Sequence, residues 1–355
     1  GEALDPLTVS ELFLLSFSTS KHIRREHRGL FGTCLLHDIK LFLQAHNKLR
    51  LSKATDPPPA DRTRLERAIK LLHTAPAMLQ FTDGRITRQH RYELFAAGDL
   101  GMMLEWFVSY AKQATQSPSQ DDAAAKRARA EHLAHQRGGL SKAASLLLSP
   151  PMRARNAETL QLLRSKHPQE SWQDILHARE EATARLKQPP QGISRIQEVE
   201  DPFSTEAVSG TIRRGNPQSS PRPSGLRFSH LHEAMTPDLG EAISQLSRVM
   251  FDGSHLPDSF WQLHTSANLS AIGEKARPMA CGDVIRRIIG GTFCRQYSQQ
   301  IAGHFKPPGK YGVSVPGGSE LLAVRATLAH QQGKSVIALD ACNTFNALAR
   351  RAILP

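Results

Sequence analysis

A stretch rich in proline, glycine, serine and arginine, residues 188–225, divides this 355-residue chain into two parts with different hydrophobic patterns. Its most polar part, RRGNPQSSPRPSG, has neither the apolar repeat of a helix nor the alternation of a strand. Before this stretch, apolar residues recur at the spacing of helices. After it, the helical patterns are interrupted by a segment whose apolar alternation is typical of a β-hairpin. The stretch therefore predicts a linker and the main domain boundary. The change of pattern predicts an α+β region preceded by an all-helical one.

The first ~110 residues carry the apolar stripes of amphipathic helices, which we interpret as packing faces. Two such stripes are formed by Leu65, Ile69 and Leu72 and by Leu94, Leu100, Leu104 and Phe107. The polar segment QSPSQDDAAAKRARAEHLAHQRGG, which follows, is either an exposed helix or a connection.

Two short helices are predicted between this segment and the linker. LSKAASLLLSPP should end at Pro150 and Pro151, because a proline ring is not tolerated inside a helix. NAETLQLLRSKHP should begin at an Asn156 cap and end before Pro168.

After the linker, one helix is predicted from a Thr236 cap to Gly253. ANLSAIGEKARPMACGD predicts a β-hairpin with residues 273–276 at its tip, and Asp283 should cap the helix that follows it. SELLAVRATLAHQQGK predicts a further helix, which leads into an apolar strand, VIAL, that ends at Asp340.

The charge balance indicates a polyanionic partner. Lysine and arginine number 45 against 33 acidic residues, giving a formal net charge of +12 and a pI near 9.8. Nucleic acid is the commonest partner of so basic a chain. A basic surface without such a partner stays open as the alternative.

Composition also bears on the compartment. The four cysteines have no CxxC pairing and no histidine at metal-ligand spacing, so we expect reduced thiols. No apolar run approaches the ~20 residues of a membrane span, and the N-terminus lacks the order of a signal peptide. We therefore expect an intracellular protein without a membrane partner, in the nucleus or cytoplasm if the source is eukaryotic. The chain begins without methionine and ends on AILP, an unfinished helix, so we expect a fragment.

Asp340 is the candidate for chemistry. A phosphate-binding loop at GKS, just before the strand, is disfavoured because Leu328 stands where a glycine is needed and the GKS lies between helix and strand. Two interpretations stay open. Asp340 caps the next helix, or it is the strand-end carboxylate of a polymerase palm. In a palm it would bind Mg²⁺, and the Phe345 ring, five residues later, would pack under the incoming sugar.

Four sequence blocks, by their order and their spacing, favour the interpretation of Asp340 as a palm carboxylate. GLRFSHLHEA, EKARPMACGDVIRRIIGG, KYGVSVPGGSELLAVRATL and VIALDACNTFNALARRAIL resemble the first blocks of reverse transcriptases of non-LTR-type retroelements. Upstream, GGLSKAASLLLSPP and ETLQLLRSKHP resemble the helical extension found before the fingers in many of these proteins. The resemblance spans residues 138–355 with gaps. It implies an RNA-directed DNA polymerase of right-hand fold.

The resemblance implies roles for three residues near the end of the chain. Asp340 is the first catalytic, metal-binding aspartate, and the Ala341 carbonyl is a second oxygen ligand. Two Mg²⁺ ions would activate the primer 3′-hydroxyl and stabilise the leaving pyrophosphate. Phe345 is the bulky residue that collides with a 2′-hydroxyl and so selects deoxynucleotides. Ordinary core packing is the alternative for this ring.

Four basic residues of the fingers are implicated in the same way. Arg277 aligns with the arginine that grips the incoming triphosphate, a contact that suits the forked guanidinium. Lys275 would assist, although the tip GEKA is shorter than the common family form. Arg286 and Arg287 would contact template phosphates; a solvated helix face is the alternative for both.

The chain departs from the family in two places. Thr344 replaces the usual alanine beside the metal turn. The palm also needs an aromatic-x-Asp-Asp turn, and the sequence has only Asp121-Asp122, far upstream and without the aromatic residue.

The resemblance therefore implies an N-terminal part of a reverse transcriptase. Its partners would be an RNA template, a DNA primer and deoxynucleoside triphosphates, and its cofactor Mg²⁺. The expected regions are a helical N-terminal region (1–115), a charged connection with the helical extension (116–192), the linker (193–225), and a partial reverse transcriptase domain with fingers and the first palm strand (226–355). The alternative is a non-catalytic, nucleic-acid-binding remnant of such an element.

Overall fold

The computed structural model describes residues 4, 7–8, 11–12, 15, 17–52, 58–81, 86–114, 123–135, 139–149, 153, 156–166, 173, 177, 180–181, 199–221, 224–274, 276–305, 311–312 and 315–337. The chain forms two compact units. The first is Gly1–Ser119, Val199–Asn268 and Cys281–Tyr297, and the second is Gln120–Glu198, Leu269–Ala280 and Ser298–Pro355.

The described part of the chain is mostly helical, with a two-stranded antiparallel sheet, as the coarse α+β expectation requires. A 3₁₀ turn (Arg25–His27) precedes the first helix. In chain order the elements are α1 (Arg28–Leu51), α2 (Pro59–Gln80), α3 (Arg88–Ala97), α4 (Leu100–Ala114), α5 (Ala123–Ala134), α6 (Gly139–Leu148), α7 (Ala157–Ser165), α8 (Thr205–Arg214), α9 (Phe228–Ala234), α10 (Pro237–Asp252), α11 (Asp258–Thr265), β1 (Ala267–Ile272), β2 (Arg277–Gly282), α12 (Val284–Gln296), α13 (Ser298–Phe305) and α14 (Gly318–Gln331).

The apolar stripes predicted in the N-terminal region face the core of the first unit. Leu65, Ile69 and Leu72 are buried on α2, where that helix packs along α1. The second stripe is divided between α3 and α4, because Gly98 adopts the left-handed conformation (φ 75°) and ends α3. Glycine adopts this conformation without steric cost, so it is the usual residue after a helix end.

The linker expected at 193–225 differs from the structure, which has helix α8 within it. Ser204 caps α8 by accepting a hydrogen bond from the Ala207 N–H, and Val208 and Ile212 are buried in the core of the first unit. The proline, glycine and arginine content of the stretch favoured a linker over the short helix TEAVSGTIRR. This helix has few apolar residues, and those it has are buried in the core.

The first unit also differs from the expected domain boundaries. Helices α8 to α12, from the linker and the expected polymerase domain, share one hydrophobic core with helices α1 to α4. Helix α1 packs against α9 and α10 as well as α2, and α8 packs against α12. The N-terminal helices are therefore part of the same folding unit as the segment after the linker.

The second unit contains most of the hairpin, Leu269–Ala280, and helices α5, α6, α7, α13 and α14. Helix α7 begins at the predicted Asn156 cap, whose side-chain oxygen accepts a hydrogen bond from the Thr159 N–H at 2.8 Å. Its Leu163 packs with Ala271 and Ala276 of the hairpin in a small apolar cluster.

The strand predicted before Asp340 is not formed in its described part. Residues 335–337 are outside any strand, and Val336 and Ile337 are 49% and 80% exposed. A strand needs a partner for its backbone hydrogen bonds, and no described segment pairs with these residues. The rest of the predicted strand lies outside the described residues.

None of the helices in the described ranges combines the length and the apolar character needed to cross a membrane.

Candidate nucleotide and nucleic-acid interface

The predicted hairpin is confirmed, with its tip at residues 273–276. Gly273 (φ 67°) and Ala276 (φ 44°) both adopt positive φ, and the Ala276 N–H donates a hydrogen bond to the Gly273 carbonyl at 3.0 Å. For alanine this conformation is unfavourable, so other contacts must hold it. The methyl group of Ala276 is fully buried against the cluster with Leu163, which supplies such a contact.

Two basic side chains from the segment around α7 hold the same tip. The Arg153 N–H donates to the Ala271 carbonyl at 2.9 Å, and its guanidinium donates to the Glu274 carbonyl at 3.2 Å. Lys166 Nζ donates to the Ala276 carbonyl at 3.0 Å. The segment around α7 therefore supports the hairpin tip by hydrogen bonds to its backbone carbonyls.

Arg277, the first residue of β2, is exposed. Among the described residues it has no hydrogen-bond or ion-pair partner. Met279, two residues along the same strand, is 47% exposed, and side chains at this spacing project from the same face. A guanidinium with all five N–H groups free to meet solvent can bind a phosphate or carboxylate in bidentate fashion.

Asp283 joins the hairpin's following helix to the segment before α9. One carboxylate oxygen accepts a hydrogen bond from the Ile285 N–H at 2.9 Å, which confirms the predicted cap of α12. The other accepts from the Ser224 N–H at 3.1 Å. The second bond was not predictable from the cap signal, because Ser224 lies 59 residues upstream.

Arg286 and Arg287 occupy different environments on the first turn of α12. Arg286 is exposed and donates one N–H to the Thr265 carbonyl at 2.9 Å. Arg287 is half-buried, donates to the Ser220 carbonyl at 2.6 Å and lies 5.3 Å over the Phe228 ring. Burial lowers the pKa of the Arg287 guanidinium. Arg287 therefore stabilises the fold, while contact of either residue with template phosphates stays a prediction.

The remaining predicted site residues, Lys275, Asp340, Ala341 and Phe345, lie outside the described residues. Within the described ranges, no group of three or more His, Cys, Asp or Glu side chains could hold a metal ion. The expectation of Mg²⁺ therefore depends on Asp340 and Ala341.

An interaction that sequence reasoning missed joins the N-terminal residues 17–23, which we call the docking segment, to helix α9. Ser229 Oγ donates to the Lys21 carbonyl at 2.6 Å, and the fully buried His230 donates from Nε2 to the Ser20 carbonyl at 2.7 Å. Burial lowers the pKa of His230 to about 4. These bonds reach backbone carbonyls of the docking segment. Because every residue has a backbone carbonyl, such bonds require no particular sequence in the segment.

Two further contacts fix the same segment. The Glu233 carboxylate accepts a hydrogen bond from the Ile23 N–H at 2.6 Å and lies 2.7 Å from His22 Nδ1. Thr19 Oγ1 donates to the Gly225 carbonyl at 3.2 Å. The block GLRFSHLHEA therefore binds the N-terminal residues directly. Ser229 and His230 are polar residues on the buried part of α9.

Comparisons with protein families, with curated proteins and with solved structures found no match for this chain.

Proposed function

We propose that this chain is the fingers-containing part of a reverse transcriptase of the non-LTR retroelement type, and that Arg277 binds the triphosphate of the incoming deoxynucleotide. The proposal rests on the environment of the Arg277 side chain. Its side chain is exposed at the start of β2 and has no partner among the described residues. The tip beside it is held by Arg153 and Lys166, so the hairpin can present this guanidinium without rearrangement.

The sequence order supports the same proposal. An RPMA strand that begins at an arginine, an aspartate cap and a helix follow one another in the block EKARPMACGDVIRRIIGG, which resembles a block of the reverse transcriptases. The net charge of +12 suits a protein that binds an RNA template and a DNA primer.

The catalytic part of the proposal depends on residues outside the described ranges. In the whole enzyme Asp340 and the Ala341 carbonyl would be oxygen ligands of Mg²⁺, the ligand type this ion prefers. The metal would supply charge stabilisation for nucleotide transfer. Phe345 would select the deoxyribose sugar.

The test is binding of a fluorescent deoxynucleoside triphosphate to the full chain with a primer–template. Arg277→Gln should weaken binding about tenfold or more, because a charge-assisted contact contributes roughly 1.5–3 kcal/mol. Arg277→Lys should recover only part of the affinity, since an ammonium lacks the bidentate fork. Arg213→Gln, which removes an exposed arginine from α8, is the matched control and should bind as the wild type does.

Equal nucleotide affinity for Arg277→Gln and the wild type would contradict the assigned role. A wild-type chain that binds RNA but no deoxynucleotide would contradict the polymerase proposal and would favour the non-catalytic remnant.

A further inference from the structure

Six of the eight residues at 21–28, KHIRREHR, are basic, and we call this segment the basic strap. Lys21, His22, Arg24 and Arg25 are exposed. The strap lies outside every block that resembles a reverse transcriptase, so the resemblance assigns it no role. It belongs to the first unit, and the hairpin tip with Arg277 belongs to the second.

The fold holds the backbone of the strap in place at both ends. At its start, Lys21 and Ile23 are bonded through their backbone groups to Ser229 and Glu233 of α9. At its end, the 3₁₀ turn Arg25–His27 leads directly into α1, and His27 is buried. The exposed basic side chains therefore project from a fixed backbone, so less conformational entropy is lost when they bind a ligand.

The positive charges of the strap are largely uncompensated. Lys21, Arg24 and Arg25 form no ion pair with any described carboxylate. The Glu233 carboxylate pairs with other residues of the strap: it lies 2.7 Å from His22 Nδ1 and 3.9 Å from Arg28 Nε. Glu26 is the single acidic residue within the strap.

Helix α10 of the same unit carries an arginine that is paired within the fold. Arg248 of α10 forms a bidentate pair with Asp201, with Nη2 2.7 Å from the nearer carboxylate oxygen. Glu241, on the same helix, accepts hydrogen bonds from Thr205 and Gln245. Arg248 is thus neutralised by Asp201, whereas Arg24 and Arg25 of the strap face solvent.

We propose that the basic strap is a phosphate-binding surface for a single-stranded nucleic acid, separate from the triphosphate contact proposed at Arg277. The inference rests on the nucleic-acid partner of the proposed function. Exposed arginine and lysine side chains on a fixed backbone bind successive phosphates and release their counterions. Contacts of this kind position the strand and carry no sequence preference.

The experiment compares two triple variants of the full chain that lose the same charge. Lys21→Gln/Arg24→Gln/Arg25→Gln neutralises the strap. Lys40→Gln/Arg50→Gln/Arg64→Gln neutralises three other exposed residues, on α1 and α2. Filter binding of single-stranded RNA and DNA is measured from 50 to 300 mM salt, and thermal unfolding checks that both variants fold.

The strap variant should bind roughly 10- to 100-fold more weakly near 100 mM salt. Its plot of log affinity against log salt should be shallower by about 2, because each phosphate contact on a single strand contributes about 0.7 to the slope. The control should change the affinity less than about threefold, since it alters only the long-range field. Cross-linking to 4-thiouridine RNA should label peptides from residues 21–28 in the wild type.

Equal losses in the two triple variants would overturn the inference, and so would wild-type affinity in the strap variant. Loss of binding to phosphatidylserine vesicles with unchanged RNA binding would assign the strap to a membrane and would also overturn it. If the wild type binds RNA and the strap variant binds equally well, the inference fails while the proposed function stands. If the wild type binds no nucleic acid, both fail.

Discussion

The carboxyl group of Asp38 lies fully buried on α1, and neither oxygen has a hydrogen-bond partner among the described residues. Burial raises the pKa of Asp38 well above its ordinary value, because the charged form loses its hydration. Cys34, one turn earlier, has its pKa raised to about 12, first by burial and then by the neighbouring Asp38. This part of the core therefore favours the protonated, uncharged form of the Asp38 carboxyl group.

Asp38→Asn should stabilise the protein increasingly as pH rises. The unfolded carboxyl releases its proton near pH 4 and the folded one only at higher pH, so the wild type loses stability across that interval by up to ~1.4 kcal/mol per pH unit. The asparagine variant lacks this dependence. Urea unfolding at pH 5 and pH 7.5 measures the difference. Asp99→Asn, at an exposed position, is the control and should follow the wild type at both pH values. A pH-independent difference between Asp38→Asn and the wild type would refute this explanation.

At the scale of elements, α8 shows how a short helix can belong to a core although its sequence resembles a linker. Val208 is 0% and Ile212 2% exposed, and Thr211 donates to the Ala207 carbonyl one turn before. The helix is joined to α12 by a buried hydrogen bond of 2.8 Å between Thr292 and Thr211. These contacts tie the stretch after residue 199 to the first unit.

Ile212→Ala should lower the free energy of unfolding by about 2–4 kcal/mol, because it removes a buried side chain and leaves a cavity. Arg213→Ala changes the next, exposed residue of the same helix and should alter stability by less than ~0.5 kcal/mol. Chemical denaturation of both variants measures the contrast. A stability of Ile212→Ala within ~0.5 kcal/mol of the wild type would restore the linker interpretation.

At the scale of the whole molecule, two buried histidines of the first unit make its stability sensitive to acid. Burial lowers the pKa of both His230 and His264 to about 4. His264 stacks on Phe260 with ring centroids 5.1 Å apart, and it lies among His73, Asp283 and Arg286. Both histidines are therefore neutral in the folded protein when exposed histidines begin to protonate.

The first unit should lose stability as pH falls from about 6.5 to about 4. In that interval the unfolded state binds a proton at each histidine and the folded state does not, which amounts to roughly 3 kcal/mol per residue. Two such losses are comparable to the whole stability of a domain. Circular dichroism against pH should show a midpoint that His264→Phe moves to lower pH, while His37→Gln, at an exposed position of α1, leaves it unchanged. An unchanged midpoint in His264→Phe would contradict the assignment.

Local chemistry made much of the candidate site predictable from sequence. The hairpin follows from short apolar alternation around a turn, and the Asp283 and Thr236 caps follow from residue types that satisfy the first N–H groups of a helix. Arg277 stands at the start of β2, directly after the predicted hairpin tip. Each of these features is determined by a short local stretch of chain.

Tertiary structure alone decided how the segments combine. The docking segment is bound to α9 across about 210 residues of sequence by bonds to backbone groups, which carry no residue signature. Burial of α8 likewise depends on apolar surface supplied by α10 and α12. Sequence patterns report which face of an element is apolar. Which distant element covers that face is set by packing. The sequence by itself therefore determined local elements such as the hairpin and the helix caps, and the tertiary structure decided that helices α1 to α4 and α8 to α12 share one core.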